Sequence, residues 1–286
     1  MEKKKITYHI SGGYSGWQGN LMLETAAIIG IARKNNLDPV FVEEGYYSKE
    51  FWDIFGREKF NLVPSSELQK LSPVQTYTEP NYHYDEVVLN PDVNWNLEGY
   101  YQTSKYWDHC EQEIRDLFEF SDVVKKPVEH LLVSGNQNYR IGIHVRRGDY
   151  LKHPDHHPVL TMEYYEECAN HLIRMNYRSP DDLKKVQFVV FSDDPKWCEE
   201  NFQKSGIEVF EGRCAISAGL TPAQDMYLMS QCDSQIISNS SFSWWAAFLN
   251  KNPNKLVFAP TKDKWYGSAY AHWNLDDLYR PEWILI

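Results

Sequence analysis

The sequence is short of positive charge. Across 286 residues, 29 Lys and Arg stand against 40 Asp and Glu, a formal net charge of −11 with His neutral. A general nucleic-acid binder needs surplus cations to neutralise phosphates, and a surface held on anionic lipid needs them too, so the balance argues against both. Cysteine is also scarce. Cys110, Cys168, Cys198, Cys214 and Cys232 are odd in number, widely spaced and free of any C-x-x-C pair. That pattern fits reduced, mostly buried thiols rather than a disulfide framework or a zinc site. No apolar run reaches the roughly 18 residues of a membrane span. The charged start "MEKKKITYHISGG" lacks the apolar stretch of a secretory signal. A cytoplasmic location is therefore the expectation.

Two motifs of phosphate chemistry are missing as well. There is no D-x-D triplet, the usual carboxylate pair that holds a divalent ion against a diphosphate, and no G-x-x-x-x-G-K-[ST] loop. A diphosphate bound here would be balanced by Arg, backbone N–H groups and a helix N-terminus. "HPDHHP" (153–158) sets three His near one Asp, but its spacing matches no common zinc pattern and reads as a solvated loop.

What the chain has in quantity is aromatic surface. Aromatics make up 15% of it, with 10 Trp and 19 Tyr. Such rings fill cores, and they also line sugar sites, where a flat apolar face meets the C–H side of a pyranose. Hydrophobic residues at 42% suffice for a sizeable core. The length suits two domains or one large one.

The order of elements points to an α/β protein. "ITYHI" (6–10), the glycine-rich "SGGYSGWQGN", a helical stretch over 21–36 and "DPVFVEE" make a βαβ start. The glycines suit either a tight turn or a loop approaching a ligand. Residues 45–100 are less regular and rich in Tyr, Pro and Asn. A strand-like piece near 96 precedes a helix from about Lys105, and "DVVKKPVEHLLVSGNQN" (122–138) reads as a helix and a linker. A domain boundary is expected there, giving 1–136 and 137–286, with the final segment able to pack back on the first domain. In the second half, strands at 139–147, 186–192, "IEVFEG", "SQIIS" and "NKLVFAP" alternate with helices at 161–176, after the polar turn that follows 186–192, in the stretch from Thr221 to "SQIIS", and from Ser243 onward. Such spacing suits a parallel sheet.

In parallel sheets, ligands sit outside the carboxyl ends of the strands. Three predicted strands end in polar clusters. The first runs into His144, Arg146, Arg147 and Asp149. The second ends in Ser192, Asp193 and Asp194. The third ends in Asn239, Ser240, Ser241, Phe242 and Ser243, ahead of Trp244 and Trp245. Alternation along "IGIHVRR" puts His144 and Arg146 on one face and turns Arg147 away. One arginine can then reach a phosphate with a bidentate fork, while the other pairs with a carboxylate that orders the loop. The same residues also suit a structural ion pair and simple helix caps.

"HVRRGDY" resembles the H-x-R-R-x-D motif of fucosyltransferases that use GDP-fucose. "DMYLMSQCDSQIISNSSFSWWAAFLN" is similar to the C-terminal signature of the α-1,2-fucosyltransferases, and "GYYQTSKYW" and "FVVFSDDPKW" resemble two further blocks, in the same order. The resemblance covers about 99–260. "SGGYSGWQGN" resembles a shorter G-G-x-G-N turn of that family, lengthened here before Gly19 and Asn20. The resemblance implies a GT-B-type α/β fold, two Rossmann-like domains facing a cleft. It also implies inverting, metal-independent transfer of fucose from GDP-fucose to the 2-hydroxyl of a terminal galactose, with no cofactor. Residue by residue, it puts Arg146 on the β-phosphate and His144 by the guanosine. Arg147 and Asp149 would order the loop, with Arg147 a second phosphate candidate. Asp193 and Asp194, with Ser192, would lie along the nucleotide or fucose, and Asp225 at the guanine edge. Ser240, Ser241 and Phe242, beside Asn239, would meet the diphosphate. Gly19 and Asn20 belong to the same nucleotide-sugar set. Asp149, Asp155, His156 and Glu24 are candidates for the base that accepts the acceptor's proton. Another GDP-sugar transferase, and a glycan- or nucleotide-sugar-binding protein without catalysis, are the competing readings.

Overall fold

The structure, a computed structural model, describes residues 3–8, 18–43, 49–72, 74–132, 139–176, 185–204 and 206–286. Most of the glycine-rich stretch after the first strand lies outside the described residues. The chain divides into two compact units, 1–123 with 273–280, and 124–272 with 281–286.

The strands, in chain order, are β1 (Lys5–Tyr8), β2 (Asp38–Pro39), β3 (Phe41–Val42), β4 (Leu62–Val63), β5 (Val74–Thr78), β6 (Asn94–Glu98), β7 (Tyr139–Val145), β8 (Val186–Ser192), β9 (Cys214–Ile216), β10 (Ser234–Ile236), β11 (Val257–Ala259) and β12 (Ile284–Leu285). In the first unit, β2-β1-β6-β5 form one parallel sheet, and β3 pairs with β4. In the second unit, six parallel strands run β12-β11-β10-β7-β8-β9. The chain moves outward from β7 to β9 on one side and from β10 to β12 on the other. The order therefore reverses between β7 and β10, and their carboxyl ends flank the switch point where doubly wound sheets bind ligands.

The sequence explains why β7 sits at the centre. Ile141, Ile143 and Val145 are almost fully buried and pack with Val186, Phe188, Val190, Ile236 and Phe258 and with the helix Met162–Asn176. Each such side chain contributes about 1.5–3 kcal/mol. The opposite face is covered too. A Cβ on Gly142 would lie 3.1 Å from Met229 Cγ and 3.2 Å from Cys232 Sγ, so the absent side chain admits the helix Pro222–Ser230.

Four details differ from the pattern reading. "DPVFVEE" is not one strand: Asp38–Pro39 pairs with β1 and Phe41–Val42 with β4, and the chain changes sheets between Val40, whose N–H bonds to the Ile6 carbonyl, and Phe41, whose N–H bonds to that of Asn61. "IEVFEG" forms turns, with Phe210 N–H bonded to Ile207 and Arg213 N–H to Phe210. The strand begins afterwards, at Cys214. The helix expected from Lys105 starts at Glu111, after two 3-10 turns that begin at Ser104, behind the Thr103 cap. The division between units falls after Val123 rather than at 136. Pro127 splits the expected helix into Asp122–Lys125 and Glu129–Leu132, and Arg140 of β7 donates to the Leu132 carbonyl at 2.8 Å.

The segment 273–280 is fastened inside the first unit. Asp277 accepts from Lys105 and, at 3.1 Å, from Tyr84 N–H. Arg280 donates to Ser104 at 3.1 Å, Asp108 at 2.7 Å and Glu111 at 2.9 Å. The described cysteines are all free, and no helix among the described residues is long and apolar enough to cross a membrane.

The first unit also buries a carboxyl. Glu79, just after β5, accepts N–H groups of Tyr100 at 2.7 Å and Tyr101 at 2.9 Å, with the Tyr106 hydroxyl at 3.3 Å. It braces a strained turn in which Gly99 has φ 152 and Tyr101 φ 49. A Cβ on Gly99 would sit 2.4 Å from Glu79 Cβ. Burial outweighs the N–H donors and raises the carboxyl from 4.5 to about 7. The folded chain then holds a proton that the unfolded chain releases. The resulting stability is fully present below pH 4.5 and is lost as pH rises through about 7. Buried histidines titrate in the opposite sense in parent and variant alike, so the effect is read as a difference. In urea titrations the stability of the native protein relative to Glu79→Gln should fall by on the order of 3 kcal/mol between about pH 5 and about pH 8. Glu79→Gln keeps the acceptor oxygen, and equal slopes in the two proteins would contradict the assignment.

Candidate functional site

β7 ends at Val145, and the next four residues form the first part of the site. The Arg146 guanidinium is held between two carboxylates, Asp149 at 2.7 Å and Asp193 at 3.0 Å. It also lies 5.3 Å from the centre of the Tyr150 ring. Asp193 comes from the end of β8, beside β7, and its other oxygen accepts the Arg147 N–H at 2.9 Å. The approach is so close that a Cβ on Gly148 would lie 2.6 Å from Asp193 Oδ2. Glycine is required there by contact. Arg146 is only 19% exposed, so the pairs are weakly screened. A guanidinium has five N–H donors, so two carboxylates do not exhaust it.

Arg147 is held differently. Its Nε donates to Asp194 at 3.1 Å, and its guanidinium lies 4.0 Å over the Trp197 ring. Asp194 also caps the helix Pro195–Cys198 through Trp197 N–H at 3.2 Å, and its own N–H bonds to Ser192 Oγ at 2.9 Å. Ser192 and Asp194, expected along the nucleotide sugar, are thus engaged in ordering this loop.

The third cluster follows β10. His144 is fully enclosed. Its Nδ1 shares a 2.7 Å hydrogen bond with Ser238 Oγ, and its ring lies 4.8 Å from that of Phe242. Burial, with Arg146 nearby, pushes His144 down to about 3, so it stays neutral. Asn239 departs from its expected role. It is 1% exposed, and its amide donates to the carbonyls of Pro158 at 2.8 Å and Trp265 at 3.2 Å, so it ties two loops instead of lying open to a ligand. That burial also removes Asn239 as a glycosylation acceptor. Tyr150 donates to the Asn239 carbonyl at 3.0 Å, which links the Arg146 loop to this one. The helix Ser241–Leu249 starts here. Its N-cap Ser240 is extended but makes no side-chain cap bond, whereas Thr221 completes a full capping box on the neighbouring helix Pro222–Ser230.

Asp225 lies in the first turn of that neighbouring helix and accepts from Ser217 Oγ at 2.6 Å. Ser217 follows β9, and its N–H bonds to Val190 of β8. Burial raises the Asp225 carboxyl above its usual range. Its second oxygen accepts no bond from the described residues.

The remaining candidates separate. Gly19 and Asn20 lie in the first turn of the helix Gln18–Asn35 in the other unit. Glu24 is completely buried in that helix, with no open surface from which to take a proton, so the structure removes it as a base. Asp155 and His156 are exposed, and their carbonyls accept from Ala269 and Gly267. The histidines of "HPDHHP" spread over tyrosine rings: His157 stacks on Tyr150 at 4.6 Å, and His156 on Tyr270 at 5.2 Å. Burial lowers His157 to about 4. Tyr150, Trp197, Ser217, Ser238 and Gly148 escaped the sequence reading. For Tyr150 and Gly148 a signal existed in "RRGDY"; for the others the partner lies too far along the chain.

Residues 58–286 match the family model for glycosyl transferase family 11. The chain is 33% identical over 315 aligned positions to the O-antigen biosynthesis glycosyltransferase WbnK of Escherichia coli, covering 94% of this chain and 98% of that one. It is 29% identical to an α-1,2-colitosyltransferase of the same species, over 80% and 74% of the two chains. It is 27% identical to the galactoside 2-α-L-fucosyltransferase Sec1 of Mus musculus, over 94% and 71%. In fold, it is similar to NodZ α-1,6-fucosyltransferase co-crystallised with GDP, with a TM-score of 0.58 at 15% identity over 90% and 95% of the chains. Two Rossmann-like units with parallel sheets are the GT-B type of architecture. The chain belongs to glycosyl transferase family 11 and is a glycosyltransferase.

Proposed function

We propose that the protein is an α-1,2-fucosyltransferase that moves L-fucose, with inversion, from GDP-fucose to the 2-hydroxyl of a terminal galactose. The observation that carries this reading is Arg146, held at the β7–β10 switch point between Asp149 and Asp193 and joined through Tyr150 to the loop that opens the helix Ser241–Leu249. Relatives named as galactoside fucosyltransferases support it.

The chemistry follows from the charges. As the fucosyl C–O bond breaks, positive charge grows on the sugar and negative charge on the β-phosphate oxygen. A guanidinium fixed in advance stabilises that charge without reorganising. The N-terminus of Ser241–Leu249 adds oriented N–H groups and the positive end of a helix dipole. Asp225 offers an acceptor oxygen to the N–H donors of guanine. Neutral His144 supports Phe242 and Ser238 beneath the diphosphate. Arg147, stacked on Trp197, holds the loop in register. No divalent ion is needed in this scheme.

The α-1,2-colitosyltransferase among the relatives favours a second reading, the same reaction with a different donor sugar. A panel of GDP-sugars with galactose-terminated acceptors, the product linkage read by NMR, distinguishes the two. Turnover only with another GDP-sugar would overturn the fucosyl assignment.

Arg146→Lys keeps a charge but loses the fork, and kcat should fall by about 100-fold or more, while Tm stays close to that of the parent. Near-parental kcat in that variant would remove Arg146 from the role. Transfer should persist at its full rate in excess EDTA; abolition by EDTA, with recovery on adding Mn²⁺, would show that a metal ion carries the diphosphate charge.

A further inference from the structure

The aromatic abundance of the sequence is not absorbed by the GDP-sugar site. One part of it stands in the N-terminal unit, outside the carboxyl ends of its sheet. Tyr82 and Trp273 stack at 3.6 Å with their planes 11° apart, and Tyr100 adjoins Tyr82 at 5.7 Å, tilted by 34°. All three residues are half-buried. Tyr82 follows β5 and Tyr100 follows β6, which pair along their full length.

The cluster is rigidly held. Trp273 arrives on the segment that Asp277 and Arg280 fasten to Lys105, Tyr84, Ser104, Asp108 and Glu111. Tyr100 is aimed by the strained turn Gly99–Tyr101, which Glu79 braces from inside and Tyr8 bonds at the Gly99 carbonyl. Strain kept by an over-determined surrounding collects at ligand sites. The Tyr100 side chain takes no part in that bracing, which uses its backbone. Glu98, two residues earlier, is half-buried; one oxygen accepts from Asn96 at 3.3 Å and the other from Thr78 at 3.5 Å, and each oxygen has a second lone pair for a further donor.

We propose that Tyr82, Tyr100 and Trp273 form a stacking platform for the acceptor saccharide, with the Glu98 carboxylate accepting from its hydroxyls. A galactopyranose suits such a surface. Its axial 4-hydroxyl leaves C3–H, C4–H and C5–H together on one face, an apolar patch that lies flat on an aromatic ring, while the hydroxyl edge stays polar. Glucose, with its 4-hydroxyl equatorial, breaks that patch. The platform thus names a class of ligand, galactosides, and rests on the transferase reading above.

Saturation-transfer NMR with methyl β-galactoside, and no donor present, tests it directly. Saturation should reach H-3, H-4 and H-5 in the parent and in Tyr100→Phe, fall sharply in Tyr100→Ala and Tyr100→Leu, and be weaker throughout for methyl β-glucoside. The KM for a galactoside acceptor should rise about tenfold in Tyr100→Ala, with the affinity for GDP unchanged. Equal saturation in parent and Tyr100→Ala, or an unchanged acceptor KM, overturns the platform even where fucose transfer proceeds. Ring-dependent galactoside binding without transfer from GDP-fucose upholds the platform and refutes the donor assignment instead. Tyr100→Leu keeps the bulk of the side chain, so a loss in that variant with an unaltered Tm is a loss of the flat ring and not of the fold.

Discussion

The cluster at the carboxyl ends of β7 and β8 depends on one carboxylate. Asp193 reaches from the end of β8 to the end of β7 and there accepts both the Arg147 N–H and the Arg146 guanidinium. Backbone and side chain of two consecutive residues are set by the same group. Gly148 follows from this contact, since nothing larger fits against Asp193. The division of labour between the arginines follows as well. With its N–H pinned, the chain turns so that Arg146 stays over the sheet edge beside Asp149, while Arg147 swings to Asp194 and Trp197. A site that must stabilise charge at the moment of bond cleavage needs its donors fixed beforehand.

Much of this was legible because period-two alternation is a strong constraint where both faces of a strand are covered. Ile141, Ile143 and Val145 could only face the core, so His144 and Arg146 had to share the other face, and Arg147 fell outside the strand. Four strands of the six-stranded sheet, β7, β8, β10 and β11, are readable for the same reason, as runs of buried aliphatics separated by helices. By contrast, β9 begins only after the expected strand, and β12 lies in a final segment expected on the first domain but paired with β11 in the second. "IEVFEG" misled because its alternation is real. Val209 and Phe210 are buried, but from a turn that packs them against Phe188 and Phe202 instead of from a strand. Periodicity reports burial, and burial does not require a strand.

Residue type was less informative than position for the polar residues. Asn239, Ser192 and Asp194 are short polar groups at strand ends, which are the groups a ligand needs and also the groups a tight turn needs. What decides between the two is the partner. Asn239 bonds to Pro158, 81 positions away, and His144 to Ser238, 94 away, and a local pattern carries no record of either. The aromatic partner of Arg147 is invisible for the same reason. Trp197 lies 50 residues after Arg147 in sequence and 4.0 Å from it in space.

The acidic balance of the chain, −11 overall, looks unsuited to the diphosphate that the proposed reaction requires. The structure removes the conflict by separating the long-range field from the local one. Arg146 and Arg147 are 19% and 15% exposed, so their charges act at short range through low-dielectric surroundings, whereas exposed carboxylates elsewhere are screened within about 10 Å. Asp149, Asp193 and Asp194 offset these charges in sum, three carboxylates against two guanidiniums, but each also fixes a contact that orients a guanidinium. A phosphate arriving beside them meets donors in a set geometry rather than a net charge. An acidic exterior then costs such a site little in affinity, and it opposes non-specific binding of nucleic acid, whose affinity rests on the summed charge of a surface.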